Sequence, residues 1–292
     1  MYERHFRLDS KPFAMSPDPA FLYPSAQHEA ALTMLEYALE SQAPFCVLTG
    51  EIGSGKTTLL RRFLRHHQDN LSVGLISNTH ARFRSIHPWA ATAFGLRPGE
   101  VSETAQYEAL IEFIIGEYAK GRRTLLVVDE AHNLSSAILE ELRLLSNVNS
   151  EQDVALQVFL IGQPELREKL ERPELEQFAQ RVSVDFHLGS LSLEEAGAYI
   201  AHRLSVAGGD AALFPADVVS FIHGRTRGIP RLINQLCDLS LVYAFAEQLP
   251  AVDLRVLQLV LQDRRRLGAM ALFGRPGVAS AGIDTGLGEN CG

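Results

Sequence analysis

The chain has 292 residues, a formal charge of −8 at pH 7, and hydrophobic and charged shares of 46% and 21%. That length holds one large domain or two ordinary ones around a sizeable core, and the acidic total argues against a surface built throughout for nucleic acid. The three cysteines (Cys46, Cys237, Cys291) are scattered, so neither a disulfide framework nor a zinc site is indicated. No apolar run reaches membrane-spanning length and Met1 to His5 lacks the form of a signal peptide, so a cytoplasmic location is expected.

Residues 1–28 carry prolines at 12, 17, 19 and 24 and aromatics at 6, 13, 21 and 23. The prolines forbid a continuous helix, and the aromatics are costly to leave in water. The segment is expected to lie pinned across the main domain, either for packing alone or as a border of the adenine pocket. His28 to Glu40 has helical apolar spacing and ends at Gln42-Ala43-Pro44.

The apolar run Phe45 to Thr49 then leads into Gly50-Glu51-Ile52-Gly53-Ser54-Gly55-Lys56-Thr57, of the form G-x-x-x-x-G-K-[ST], with Thr58 opening a helical pattern. Glycines let successive backbone N–H groups turn toward an anion, and the helix N-terminus adds about half a positive charge. Lys56 is expected to reach the β- and γ-phosphates of ATP, and the Thr57 hydroxyl to hold Mg²⁺. A Gly-rich turn that matches by chance is the alternative, and the strand before and helix after speak against it.

Leu71 to Ile76 reads as a strand, Ile86 to Phe94 as a helix before a turn at Gly95 to Gly99, and Ser102 to Lys120 as a long helix. Leu125 to Val128 is apolar at every position, as in a strand buried on both faces. It closes on Asp129-Glu130-Ala131-His132. Asp129 is placed to hold Mg²⁺ through water and Glu130 to polarise the attacking water. His132 could orient Glu130, bind a neighbouring subunit, or serve as a locally bonded loop histidine.

Ile138 to Leu145 is an amphipathic helix, and Val154 to Ile161 a strand ending in Gly162-Gln163-Pro164. Gln163, at the tip of a strand beside the Asp-Glu strand, is a candidate for the γ-phosphate or the water, against a role in capping the next turn. Arg181 precedes a last strand, Val182 to Leu188. Its guanidinium suits a finger reaching a neighbour's γ-phosphate, against an ordinary surface arginine.

From Ser190 the strand signal stops. Ser192-Leu193-Glu194-Glu195 is a capping box, and further helices are expected from Pro215, from Ile229 and from Val252. In the third, Ile229, Leu232, Ile233, Leu236, Leu239 and Tyr243 trace an apolar face. Arg231, just inside that helix, could reach back to the phosphates and couple nucleotide state to lid angle. The expected division is an N-terminal segment (1–28) packed on the core, an α/β nucleotide domain (29–190), a helical lid (191–265) and a disordered tail (266–292).

Phosphate loop, Asp-Glu strand, polar strand tip, edge arginine and helical lid, in this order, resemble the AAA+ ATPases. Within them the chain looks like the ExeA/GspA-type ATPases of bacterial secretion and pilus assembly. Pro12-Phe13, Ser16 to Pro19, Phe21 to Tyr23, Gly50 to Thr57, Val128 to His132, Leu142 to Asn147, Gly162 to Leu166 and Gly228 to Asn234 carry that likeness. It implies a P-loop AAA+ core with a five-stranded parallel sheet, followed by a small all-helical lid. It also implies Gln163 as sensor 1 (where Asn, Ser or Thr is commoner), Arg181 as arginine finger and Arg231 as sensor 2. Longer members continue into a membrane span and a periplasmic domain. This chain stops after the lid, so a purely cytoplasmic form is expected, free or peripheral at the inner membrane through a partner.

The leading expectation is an ATP-Mg hydrolase, homo-oligomeric as a ring or filament, that assembles or remodels a secretion, pilus or export apparatus. A runner-up is a DNA-associated regulator similar to transposition helper ATPases, with Arg61, Arg62, Arg65, Arg82, Arg84 and Arg264 to Arg266 as phosphate contacts. The acidic total and the lack of a DNA-reading module after the lid speak against it. A third is a nucleotide switch that oligomerises and scarcely turns over.

Overall fold

A computed structural model describes residues 1–15, 21, 23–67, 71–77, 79, 84–96, 102–150 and 153–266. Ser16 to Pro19, Leu22, Arg82, residues 97–99 of the expected turn, the side chains of Arg265 and Arg266, and the tail 267–292 lie outside the described residues.

Helix α1 (Ala26–Glu40) is capped by Ser25, whose hydroxyl accepts from His28 N–H. Strand β1 (Phe45–Gly50) follows, then α2 (Lys56–His66), β2 (Leu71–Ile76), α3 (His87–Ala93), α4 (Glu103–Ala119) and β3 (Arg123–Val128). After a 3-10 turn at Ala131–Asn133 come α5 (Ser136–Leu145), β4 (Leu156–Gly162), α6 (Pro164–Leu170), α7 (Glu176–Ala179) and β5 (Val182–Leu188). The five strands pair in parallel in the order β2-β3-β4-β1-β5. Every residue of β1 and β4 is buried, whereas the edge strand β5 alternates and the edge strand β2 is only partly buried, as expected for a sheet covered on both faces at its centre. One apolar layer, with Leu110, Ile114, Leu139 and Leu142, covers one face, and another, with Leu35, Leu39, Leu60 and Phe63, covers the other.

This strand order decides where the chemistry sits. Ligands of open α/β sheets bind beyond the carboxyl ends of the strands. β4 lies between β1 and β3, so its tip, Gln163, stands between the loop after β1 and the carboxylates after β3.

The remaining chain is helical: α8 (Leu193–Val206), α9 (Ala216–Thr226), α10 (Pro230–Ala246) and α11 (Leu254–Arg266). The capping box at Ser192 and Glu195 forms with both of its hydrogen bonds. The buried stripe of α10 runs through Ile233, Leu236, Cys237, Ser240, Leu241 and Ala244, while Leu232, Leu239 and Tyr243 are only half-buried, so the apolar face is rotated from the one the sequence suggests.

The N-terminal segment departs from expectation. Tyr2, Phe6, Leu8 and Phe13 enter the core of the helical bundle and do not lie across the sheet domain. Phe13 meets Phe214 edge-on at 5.6 Å, Tyr2 Oη donates to Asp238 Oδ1 at 2.5 Å, and Asp9 N–H donates to Ala207 O. A bundle this small has too little apolar surface of its own to close, and the segment's aromatics complete it.

Candidate functional site: the nucleotide cleft

Beyond the strand ends lies a cleft of about 440 Å³, whose lining includes Gly53, Ser54, Gly55, Lys56, Thr57, Thr58, Glu130, Gln163 and Arg231. That volume is in the range of small-molecule sites. Gly50 and Glu51 lie behind the cleft surface, as loop backbone whose carbonyls accept from Lys56 Nζ at 2.6 and 2.9 Å. Exposed Ile52 sits at its rim.

The loop needs its glycines. Gly53 and Gly55 hold φ of +83° and +105°, a region that side chains rarely adopt. A Cβ on Gly53 would also fall 2.3 Å from Arg231 Cβ, and one on Gly55 would fall 2.7 Å from His28 Nε2. Arg231 therefore rests directly on the loop, and its N–H donates to Gly53 O at 3.2 Å. The lid helix α10 thus starts on the phosphate loop.

Burial pushes the Lys56 ammonium below its ordinary pKa, opposed by the nearby Glu130 and Asp129 charges. Burial pushes Asp129 above the usual carboxylate value, opposed by hydrogen bonds from Glu130 N–H at 2.9 Å and Thr57 Oγ1 at 3.1 Å. Two hard oxygen donors thus meet where burial disfavours a bare anion, which fits a site for a small divalent cation. For the nucleotide, Ser54 Oγ is buried without a hydrogen-bond partner, and the loop and first helical turn present backbone donors to the cleft.

Glu130 is in the left-handed region at φ 55°, and its side chain is 47% exposed in the cleft. The Gln163 side chain makes no capping bond. Its Nε2 lies 2.9 Å from His132 Nε2, while His132 Nδ1 lies 3.4 Å from Glu130 Oε2. Arg181 is absent from the cleft lining: its Nη1 donates to Ser146 Oγ at 2.7 Å and Arg143 O at 3.1 Å, at the end of α5.

Three contributors escaped the sequence reading. His28 Nε2–H donates to Ser54 O at 3.0 Å while its Nδ1 faces Ser25 Oγ at 2.6 Å, so a buried imidazole braces the loop from α1. Thr79, beyond β2, donates to Glu130 O at 2.6 Å. At the far end, buried Arg203 donates to Pro12 O at 2.5 Å, Ala14 O at 3.3 Å and Tyr199 Oη at 3.1 Å, under the ring of Phe21. Phe21, Tyr23, Ala14 and Met15 line this end, so the N-terminal segment both completes the bundle and borders the cleft. Of these, only the Ser25/His28 spacing, a helix start with a histidine on its first turn, left a trace in the sequence.

A P-loop after the first strand, an Asp-Glu pair two strands away in the sheet, and a helical lid seated on the loop place this chain in the AAA+ class of P-loop proteins. An AAA domain family model matches residues 39–170. Within that class the chain is similar to the ExeA/GspA-like members: it is 38% identical over 247 residues to general secretion pathway protein A of Aeromonas hydrophila. That match covers 84% of this chain and 45% of the relative, so the chain spans less than half of that protein's length. Among solved structures, Cdc6p from Pyrobaculum aerophilum is similar with a TM-score of 0.65, 17% identity and 92% and 72% of the two chains covered. The Aeropyrum pernix ORC2 protein in ADPNP-ADP complexes gives 0.61, 15%, 90% and 75%. At such identities these two show the fold alone.

Proposed function

We propose that this chain binds and hydrolyses ATP-Mg in the cleft and, as a homo-oligomer, uses the resulting lid movement to assemble or remodel a secretion, pilus or export apparatus. The observation that carries the reading is the convergence of Lys56, Thr57 and Glu130 on one cleft, with Asp129 behind it accepting a hydrogen bond from Thr57 Oγ1. In it, the 50–57 loop amides and Lys56 bind the triphosphate, and Thr57 and Asp129 are the residues that would hold Mg²⁺. When bound, the ion would neutralise phosphate charge. Glu130 accepts a proton from the attacking water, Gln163 contacts the γ-phosphate, and Arg231 carries the state of the loop into α10.

Arg181 of one subunit is proposed to stabilise the transferring phosphoryl group bound to its neighbour. Its seat on Arg143 O and Ser146 Oγ supports a fixed direction for the guanidinium at the domain's edge. The secretion role rests on similarity to general secretion pathway protein A, which this chain matches in part of its length. Among the described residues, no helix is long and apolar enough to cross a membrane.

The test is phosphate release per subunit against protein concentration, for wild type and Arg181→Ala, with and without duplex DNA. A rate that climbs with concentration, falls about 100-fold or more in Arg181→Ala and ignores DNA is expected. A concentration-independent rate would remove the trans finger. A rate governed by DNA would transfer the protein to the DNA-associated reading.

A further inference from the structure

We infer that Arg61 is a further binding residue of the cleft, whose guanidinium holds the α-phosphate of the bound nucleotide. This rests on the nucleotide reading above and adds to it a contact that ATP and ADP share.

Helix α2 sorts its side chains by face. Leu59, Leu60 and Phe63 are buried in the apolar layer that covers the sheet. Thr57, Thr58 and Arg61 line the cleft together, since positions three and four apart on a helix share a face. Arg62 is absent from that lining, and its Nη1 donates to Glu29 Oε1 of α1 at 2.9 Å. The two adjacent arginines therefore differ. Arg62 has a carboxylate on its own chain. Arg61 is exposed and, among the described residues, makes no ion pair or hydrogen bond. Its place in the cleft separates it from the arginines that a DNA-associated reading would use.

The direction of the side chain follows from the helix. A helical side chain leans toward the N-terminus and covers the turn before its own Cα. For Arg61 that turn holds Thr57 and Thr58, so a Cα about 6 Å beyond that of Thr57 along the axis sends its guanidinium back toward the phosphate loop. A nucleotide with its β- and γ-phosphates on the loop and Lys56 runs from there to the end lined by Phe21 and Tyr23. The first group it carries past the second turn of α2 is the α-phosphate. Lys56 serves the outer phosphates, which leaves this inner one without a side-chain cation. A guanidinium presents two parallel N–H groups to two phosphate oxygens, a match that an ammonium lacks.

The test is calorimetric binding of ATP, ADP and 2′-deoxy-ATP, each with Mg²⁺, to the full chain as wild type, Arg61→Gln, Arg61→Lys and Arg62→Gln. Glutamine and lysine are about as favourable as arginine in an exposed helix, so melting temperatures should agree. Arg61→Gln is expected to weaken ATP and ADP by the same factor, about 5- to 10-fold, with a smaller loss in Arg61→Lys and a change within about twofold in Arg62→Gln. The ratio of ATP to 2′-deoxy-ATP affinity should stay at its wild-type value. Unchanged affinity in Arg61→Gln, or an equal loss in Arg62→Gln, would overturn the contact. A loss for ATP alone would place Arg61 on the γ-phosphate, and a shifted 2′-deoxy ratio would place it on the ribose; either overturns the assignment while leaving nucleotide binding standing. Wild-type protein that binds none of the three would overturn the nucleotide reading and this inference together.

Discussion

The two ends of the cleft are built in opposite ways. At the phosphate end, each working group follows a strand within a few residues: Lys56 and Thr57 after β1, Asp129 and Glu130 after β3, Gln163 after β4. Parallel pairing alone brings these short segments together. At the far end, Arg203 of α8 reaches the backbone of residues 12 and 14, and Tyr199 Oη continues to Asn234 of α10 at 2.8 Å. The Arg203 contacts join stretches about 190 positions apart in the chain. One end is a local motif repeated strand by strand, and the other is a tertiary clamp. The clamp nevertheless meets the motif, because α10 carries both Asn234 and Arg231, and Arg231 N–H ends on Gly53 O.

Different substitutions should therefore break the two ends in different currencies. The largest effect is expected from Lys56→Ala, which removes a buried cation from the loop while leaving the cores untouched. ATP-Mg affinity should fall by about 100-fold or more, ~2.7 kcal/mol, with little change in melting temperature, as calorimetry would show. Arg203→Met should do the reverse in kind. It leaves two segment carbonyls without their donor inside the bundle, so chemical denaturation should show a loss of about 3 kcal/mol. A variant that lost ATP affinity at unchanged stability would show the clamp to be part of the binding surface proper.

A smaller effect tests the brace between α1 and the loop. Burial holds the His28 imidazole below its ordinary value of 6.5. As pH falls below 6.5, the unfolded chain takes up a proton that the folded chain refuses, so stability falls until the folded value is reached and is flat in this respect above 6.5. The slope from this group is at most about 1.4 kcal/mol per pH unit. His28→Gln should remove it, and denaturation midpoints between pH 5 and 7 that keep the wild-type slope would assign the pH dependence elsewhere.

The same contrast explains what the sequence disclosed. The strands β1, β3 and β4 were legible because burial on both faces leaves continuous apolar runs, and the capping box at Ser192 because its two partners are three residues apart. The phosphate loop and Asp129-Glu130 were legible for the same local reason. The apolar character of residues 1–15 was plain, but not its destination, since an aromatic side chain carries no record of which apolar surface it completes. The reach of His28 to Ser54 O and of Arg203 to the carbonyls of residues 12 and 14 could not be read, because a backbone acceptor leaves no mark on sequence; only the Ser25/His28 spacing hinted at the first. The buried face of α10 differs from the one the apolar spacing suggests because small and polar residues, Ser240 and Ala244, take part in its buried stripe.

The most direct test of the account is ATP-Mg binding and phosphate release measured side by side for wild type and Glu130→Gln. The side chain keeps its size and loses its basicity, so the phosphate end should still bind ATP-Mg within about threefold of wild type while release drops by about 100-fold or more. A Glu130→Gln protein that binds ATP-Mg and releases phosphate at the wild-type rate would contradict the assignment of the reaction to this carboxylate.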